Sequence, residues 1–510
     1  MKQGAAVSPA AKPAETTFCP AHARRFVLIS AILASSMGFI DGAVVSLAMP
    51  AIRADLGATL ADAQWIINSY LLFLSALVLL GGAAGDVFGV RNIFAVGIAV
   101  FVVTSLACAV APNAEALIAM RAAQGVGAAL MIPGSLAIIA KSYPPSTRGR
   151  AIGQWAAFSS LTTAFGPFLG GMLLSFGEDW MWRLIFAING PIGAIAMAML
   201  LWRVPQDKPA ARRKLDIPGA VLATVGLGLM AWGLTGYGLE AGARVAPPWL
   251  WLVGGVVILG AFVMWEKHTA SPMVKLELFR STPFSGANLF TLILFFAFSA
   301  VLFFLPMTLI SAWDKAEWEA SLAMLPLSVA IASLSGYAGR LADQIGPRLL
   351  LSGGALLVAI AFAGMALTMP LMSLWTVTVP FTAVMALGMA MLVSPLSSAV
   401  MLATPDADTG LASGINNAVA RAAGLMAVAA MGALAGIVFS AVAGDRLPGM
   451  EFGGFGDGTL EVAEETLRIA ATNRAFQAVA AVSSVMCFGA ALIAWFTQPH
   501  WQRGEKPEAV

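Results

Sequence analysis

The sequence predicts an all-α integral membrane protein of fourteen transmembrane helices, built as two pseudo-symmetric six-helix bundles with two helices inserted between them. Three observations carry this. Only 11% of the 510 residues are charged and 59% are hydrophobic, against about 25% charged in soluble domains, and the mean hydropathy is +0.84. Apolar runs long enough to cross a bilayer recur along the whole chain. Finally, one short polar frame, G-x-x-x-D-x-x-G-x-R, occurs twice, as GAAGDVFGVR from Gly82 to Arg91 and as GRLADQIGPR from Gly339 to Arg348.

The spans follow in order, each bounded by charge or by Pro, Gly or Asn turns. The first six cover 26–50, 64–85, 92–111, 114–140, 150–176 and 183–203. Two more cover 216–238 and 248–266, and the last six cover 284–309, 318–343, 348–368, 373–403, 409–441 and 474–497. The copies of the frame follow spans 2 and 10, so equivalent links lie eight helices apart. That offset sets the units: a disordered tail over 1–24, a six-helix bundle over 25–203, two inserted helices with their linkers over 204–283, a second bundle over 284–497, and a tail over 498–510. A weaker match, ALMIPGS around Pro133 in span 4 and AMLVSPLS around Pro395 in span 12, has the same offset.

An even number of spans places both termini on one side. Most of the 29 Lys and Arg residues fall in segments on that side, including Lys141, Arg148, Arg150, Arg203, Lys208, Arg212, Arg213 and Lys214. The loop after span 13 instead carries Asp445, Glu451, Asp457, Glu461, Glu464 and Glu465. The positive-inside rule therefore puts both termini in the cytoplasm of a multi-pass protein of the inner membrane. The basic residues are spread along one membrane face rather than forming a groove, which argues against a nucleic-acid partner. Cys19, Cys108 and Cys487 are isolated, and His22, His268 and His500 fall at helix ends, so no disulfide or metal framework is expected.

Each copy of the frame sits in a tight cytoplasmic link. Asp86 lies at the C-terminal end of span 2, where the helix dipole disfavours a carboxylate by about 0.3 to 1 kcal/mol. It is suited to meet the N-terminus of an odd-numbered span at the same level, latching one half to the other. Asp343 is its counterpart. Gly82 and Gly339 open the two copies, Gly89 and Gly346 permit the turns, and Arg91, Arg340 and Arg348 can anchor to carboxylates or lipid phosphates.

The frame resembles the cytoplasmic loop signature of the major facilitator superfamily, and four further stretches resemble its fourteen-span drug:proton antiporters. These are DGAVVSLAMP from Asp41, RAAQGVGAA from Arg121, GPFLGG from Gly166 to Gly171, and WRLIFAINGPIG from Trp182. Ala43 and Ser46 stand where the first pattern usually has Thr and Asn, and Thr162 where the span 5 pattern begins with Gly. The resemblance implies that span 13, starting at Asp408, Thr409 and Gly410, receives Asp86, and that Asp343 meets the start of span 5 near Arg150. It also implies that Gly166, Pro167, Gly170 and Gly171 form a deformable helix sealing the inward path of an exporter.

Charges at membrane depth are costly and mark candidate functional groups. Asp41 and Arg121 both lie roughly 10 to 14 Å below the outer surface at 1.5 Å per residue, so they can meet or share a water. Alanine, Ala297, occupies the position equivalent to Asp41 in the second half, so the acid belongs to one half alone. Trp65, Asn68, Tyr70, Gln124, Asn416, Asn417 and Arg421 supply aromatic, amide and cationic groups suited to hold an amphiphile loosely. The expectation is a proton-coupled antiporter that exports small amphiphilic compounds by alternating access. It would use the proton gradient and no cofactor, with protons, substrate and the lipid bilayer as partners, and would act as a monomer. A proton-coupled importer or metabolite exporter on the same fold is the rival reading, and GPFLGG argues against import. A membrane-embedded enzyme or sensor would need a catalytic constellation, and the sequence offers no paired intramembrane His, no metal spacing and no nucleophile with a base.

Overall fold

A computed structural model describes residues 17–499 except 176–178, 208, 210–213, 240–244, 406–407 and 457–459. Lys208, Arg212, Arg213, Asp457 and His500 lie outside the described residues. The described residues contain helices and no strand. In chain order the long helices are α1 Ala21–Leu56, α2 Leu60–Phe88, α3 Val90–Ala109, α4 Ala114–Ser142, α5 Pro145–Ser175, α6 Trp180–Arg203 and α7 Ile217–Gly236. They continue as α8 Pro248–His268, α9 Thr282–Ser311, α10 Glu317–Ile345, α11 Pro347–Thr368, α12 Leu374–Leu402, α13 Thr409–Ala443 and α14 Val462–Thr497. All except α5 are long and apolar enough to cross a membrane, and α5 is 31 residues long. Its middle carries Gln154, Ser159, Ser160, Thr162 and Thr163, which lower its apolar content without shortening the helix.

Several helices outrun the apolar runs, and two of their starts lie in polar segments. Helix α1 begins at Ala21, inside the expected tail, where Cys19 is buried and the Tyr143 hydroxyl donates to the Arg24 carbonyl at 2.9 Å. Helix α14 begins at Val462, about three turns earlier than the apolar run. Glu461 and Glu464 cap its start, and buried Arg468 donates to the carbonyls of Ser311 and Gly454. The polar first turns are thus held by hydrogen bonds that hydropathy does not register.

The packing repeats. Helix α1 packs on α5 and α6 as α9 packs on α13 and α14, and α4 packs on α2 and α3 as α12 packs on α10 and α11. Helices α7 and α8 form a hairpin outside both bundles, with α7 against the seam between α2 and α13. Helix α8 buries only Pro248, Gly255 and Glu266, and otherwise presents apolar side chains outward, as a lipid-facing helix does.

The halves meet chiefly along two seams, with α1 also touching α9. At the α2/α13 seam contact runs the whole length, from Gln64 against Gly432, through Leu71 against Gly424, to Leu79 against Gly414. At the α5/α10 seam the side-chain hydrogen bonds lie at the face opposite the chain termini, where the Ser175 hydroxyl bonds to Glu317 at 3.2 Å and the Trp318 amide donates to Ser175 at 3.1 Å. Toward the termini face, side-chain positions at Gly149 and Gly153 of α5 and Gly336 of α10 open onto empty space. The bundle is therefore closed at one face and parted at the other. Arg53 strengthens the closed face: it donates to the carbonyls of Ala58 and Phe452 and pairs with Glu451 at 3.3 Å, tying α1 to the loop after α13.

Candidate functional site: a buried ion pair and a separate polar cavity

Asp41 on α1 and Arg121 on α4 meet directly. Arg121 Nη1 donates to Asp41 Oδ2 at 2.6 Å and to Gln124 Oε1 at 2.7 Å, and Gln124 Nε2 donates to Asp41 Oδ1 at 3.1 Å. Arg121 and Gln124 are three residues apart and so share one face of α4. Arg121 Nε donates to the Ile66 carbonyl on α2 at 3.1 Å. The Tyr70 ring lies under the guanidinium, 4.2 Å from its carbon, with Phe186 of α6 on another side at 5.7 Å. Asp41 and Arg121 are 1% exposed.

Close helix approach makes this geometry. Gly125, one turn on from Arg121, touches α2: a side chain there would begin 2.5 Å from the Tyr70 carbonyl. Helix α5 lies against the turn of α1 that carries Asp41, Gly166 packing on Ile40 and Gly170 on Val44. Pro167 sits between them within α5, and Gly171 turns to the other half, against the Glu317 carbonyl and Ser321 of α10. The GPFLGG stretch thus touches both the acid-bearing helix and the interbundle seam.

The expected cavity residues separate into three places. Asn416 and Asn417 on α13 line a cavity of about 190 Å³ with Phe295, Ser397 and Ser413. Asn416 donates to Thr291 at 2.7 Å and to Asn288 at 3.3 Å, which fixes its amide, whereas Asn417 bonds only its own helix, at the Ser413 carbonyl. Arg421 stands one turn further along α13 with its Nε buried and unpartnered, within electrostatic range of Tyr70. Tyr70 and Gln124 belong to the ion-pair cluster, and both polar atoms of Asn68 are buried without partners. Trp65 lies elsewhere. It packs on Trp232 of the inserted hairpin, 5.2 Å between rings, and lines an apolar cavity of about 400 Å³ with Leu229 and Trp251. Helical spacing leaves the direction of Trp65 open, and the hairpin provides its partner.

At the doubled frame, Gly89 and Gly346 have φ of +92° and +83°, a region where glycine alone is unstrained. Gly82 packs loosely on Pro133 and Gly339 tightly on Ser394. Asp86 is exposed and pairs with Lys141 of α4 at 3.1 Å, while Asp408 at the start of α13 takes Lys275 at 2.6 Å. Asp343 is exposed and has no ion pair among the described residues. In this state, parted at the termini face, neither aspartate reaches across to the other half. Of the arginines only Arg91 turns inward, donating to the Leu201 carbonyl at 3.0 Å; half-buried Arg348 lies over Trp495 at 4.2 Å, and exposed Arg340 lies over Tyr337 of its own helix at 4.7 Å. Asp207, in the linker after α6, accepts the amides of Val90 and Arg91. Sequence reasoning missed it, because its partners are backbone groups.

The family model of the Major Facilitator Superfamily matches residues 31–429, which covers the ion pair, both copies of the frame and the whole lining of the polar cavity. The chain belongs to the major facilitator superfamily. This superfamily member is 30% identical over 421 residues to a tetracenomycin C resistance and export protein of Streptomyces glaucescens, covering 80% of this chain and 75% of that one. It is 31% identical over 431 residues to a methylenomycin A resistance protein of Streptomyces coelicolor, covering 82% and 88%. Among solved structures, a bacterial homologue of the human lysosomal transporter Spinster, inward-facing and occupied, superposes with a TM-score of 0.65 at 18% identity, covering 93% of this chain and 97% of that one. The fold is that of a superfamily transporter, not of an enzyme.

Proposed function

We propose that the chain exports small amphiphilic compounds from the cytoplasm in exchange for protons, by alternating access between its two six-helix halves. The observation that carries this reading is the buried Asp41, Arg121 and Gln124 cluster: a carboxylate held in a dry site by one cation and one amide, on the helix against which GPFLGG packs. Breaking such a pair by removing one partner is costly, about 3–5 kcal/mol, whereas a proton arriving on Asp41 neutralises the acid and frees Arg121 without leaving an ionised carboxylate behind. Tyr70 lies under Arg121 and within electrostatic range of Arg421 on α13, a route by which movement of Arg121 would reach the second bundle. The relatives named as resistance and export proteins support outward transport of drug-like molecules.

In this reading the parted face is cytoplasmic, both termini lie there, and substrate enters between α5 and α10. Asp86 and Asp343 then engage helix starts of the opposite half when that face closes. With one acid at the site, one proton moves per cycle. A neutral substrate then gains about 1.4 kcal/mol per pH unit and about 2.3 kcal/mol per 100 mV, or roughly 500-fold accumulation from both together. A monocation exchanged for one proton responds to the pH gradient alone. The test is transport of a fluorescent amphiphile in proteoliposomes with an imposed pH gradient. Wild type should pump uphill, and Asp41→Asn should bind the probe but lose uphill movement. Wild-type pumping by the variant overturns the assignment of Asp41.

A further inference from the structure

We propose that Asp216 and Glu266 hold a single proton between them, a second proton-binding site at the root of the inserted hairpin and separate from Asp41. The inference does not depend on what the chain transports. Asp216 precedes α7 and Glu266 lies in the last turn of α8; they are 5% and 3% exposed. Each carboxylate is half satisfied. Asp216 Oδ1 accepts the Gly219 amide at 3.0 Å and the Trp265 indole at 2.7 Å, and Glu266 Oε2 accepts the Val274 amide at 3.0 Å. The remaining oxygens, Asp216 Oδ2 and Glu266 Oε1, are buried and have no donor.

Those two orphan oxygens face each other. Both crowd the same position at Gly219, where a side chain would begin 2.6 Å from Asp216 Oδ2 and 2.9 Å from Glu266 Oε1, so the two carboxylates are close neighbours. Ionised carboxylates only accept, so two of them here repel and leave both oxygens bare. One shared proton turns one group into a donor and satisfies both orphans at once. No cation does the same work. The charged groups at this end of the neighbouring elements are Lys214 before α7, Lys267 and His268 on α8, Lys275, Glu277 and Arg280 in the following link, Asp408 at α13 and Asp86 on α2. Lys275 pairs with Asp408, Asp86 pairs with Lys141, and none of the ion pairs among the described residues involves Asp216 or Glu266. The link approaches Glu266 through the Val274 backbone amide, beside buried Met273.

The proton ties three segments. Asp216 caps α7, and Glu266 ends α8 while holding Val274 of the link that leads into α9 and the second bundle. With the proton in place the hairpin is fastened to that link. Once it is lost, two negative charges oppose each other and the fastening loosens, so the tie is made at low pH and released as pH rises. It lies at the termini-face end of the hairpin, so the compartment on that side is the one whose pH it would follow.

The test uses the full chain in lipid nanodiscs, with Asp41→Asn present throughout so that Asp41 contributes no signal. Infrared difference spectra across a pH titration should show the carbonyl stretch of a protonated carboxyl that disappears as pH rises. Adding Glu266→Gln, whose amide can donate to Asp216 as the shared proton would, should abolish that band. Hydrogen exchange of residues 273–281 should rise several-fold with pH in the parent and stay low in Glu266→Gln. Asp216→Asn provides a second route to the same loss of the band if Glu266→Gln is poorly expressed. A pH titration with no carboxyl band assignable to either residue overturns the proposal, as does link exchange that responds to added calcium or magnesium instead of to pH.

Discussion

Asp207 caps the start of α3: its carboxylate accepts the backbone amides of Val90 at 2.9 Å and Arg91 at 3.0 Å, while the Arg91 side chain returns to the Leu201 carbonyl. The first free amides of a helix are a ready anion site, and here an acid from the linker after α6 fills it. The link between α2 and α3, which carries the first copy of the doubled frame, is therefore fixed to the end of the first bundle.

From this follows a stability prediction. Asp207→Ala removes two charge-assisted hydrogen bonds from a buried position, and charged hydrogen bonds contribute about 1.5–3 kcal/mol. The variant should unfold at a clearly lower temperature in detergent, with Asp207→Asn intermediate. Gly89→Ala should destabilise by a similar route, because φ is +92° and the new methyl would begin 3.2 Å from the Asp207 carboxylate. A melting temperature unchanged in Asp207→Ala would show that the linker holds without the cap.

The ion pair makes a contrasting prediction. Arg121→Ala leaves the Asp41 carboxyl buried beside Gln124 without its cation, so it should cost about 3–5 kcal/mol. Asp41→Asn leaves the guanidinium its bonds to Ile66 and Gln124 and keeps an acceptor at its end, so it should be better tolerated. Combining the two should cost less than the sum of the single losses, as residues in one network do. Additive losses measured by thermal unfolding would mean that the two side chains are stabilised independently.

The state of the frame is also testable. Asp86 is 56% exposed at its side chain and holds Lys141 of its own bundle, an exposed pair of the kind that contributes little. If Asp86 instead secures the closed form of this face by meeting the start of α13, Asp86→Asn should shift the population toward the parted form. A cysteine at Gly153, which opens onto empty space, should then react several-fold faster with a water-soluble thiol reagent. Lys141→Ala should not reproduce the effect. Equal labelling rates and full transport in Asp86→Asn would leave the aspartate with only its Lys141 contact.

Much of the fold was legible because bilayer-spanning length and the doubled frame are written in composition and spacing. The meeting of Asp41 and Arg121 was legible too, since equal depth on neighbouring helices brings costly charges together. Three features were not. The direction of Trp65 depends on the inserted hairpin, and helix periodicity does not say which neighbour a helix face will find. Asp207 works on backbone amides, which leave no trace in the sequence beyond an acid in a basic linker. Arg53 and Glu451, which tie the closed face, looked like ordinary loop charges because they lie far apart in the chain and outside the apolar runs.

Gly171 offers the sharpest test of the rocking motion. It is the last glycine of GPFLGG, and unlike Gly166 and Gly170, which pack on α1 of the same bundle, it packs on the opposite bundle. A methyl there would begin 2.7 Å from the Glu317 carbonyl and 2.9 Å from the Ser321 side chain, too close for either backbone to remain in place. Overpacking of this kind costs about 1–3 kcal/mol, and at an interface between two rigid bodies the strain is relieved by separating them. Gly171→Ala should therefore bias the protein away from the state closed at this face, and spin labels at Met172 and Trp318, both partly exposed, should report a longer distance across the seam. Gly153→Ala, whose new methyl would meet nothing within 4 Å, is the matched control and should leave the distance unchanged. If Gly171→Ala lowers stability while the distance stays as in the wild type, the strain is absorbed within α5, and the glycine serves local packing without setting the balance between the two faces.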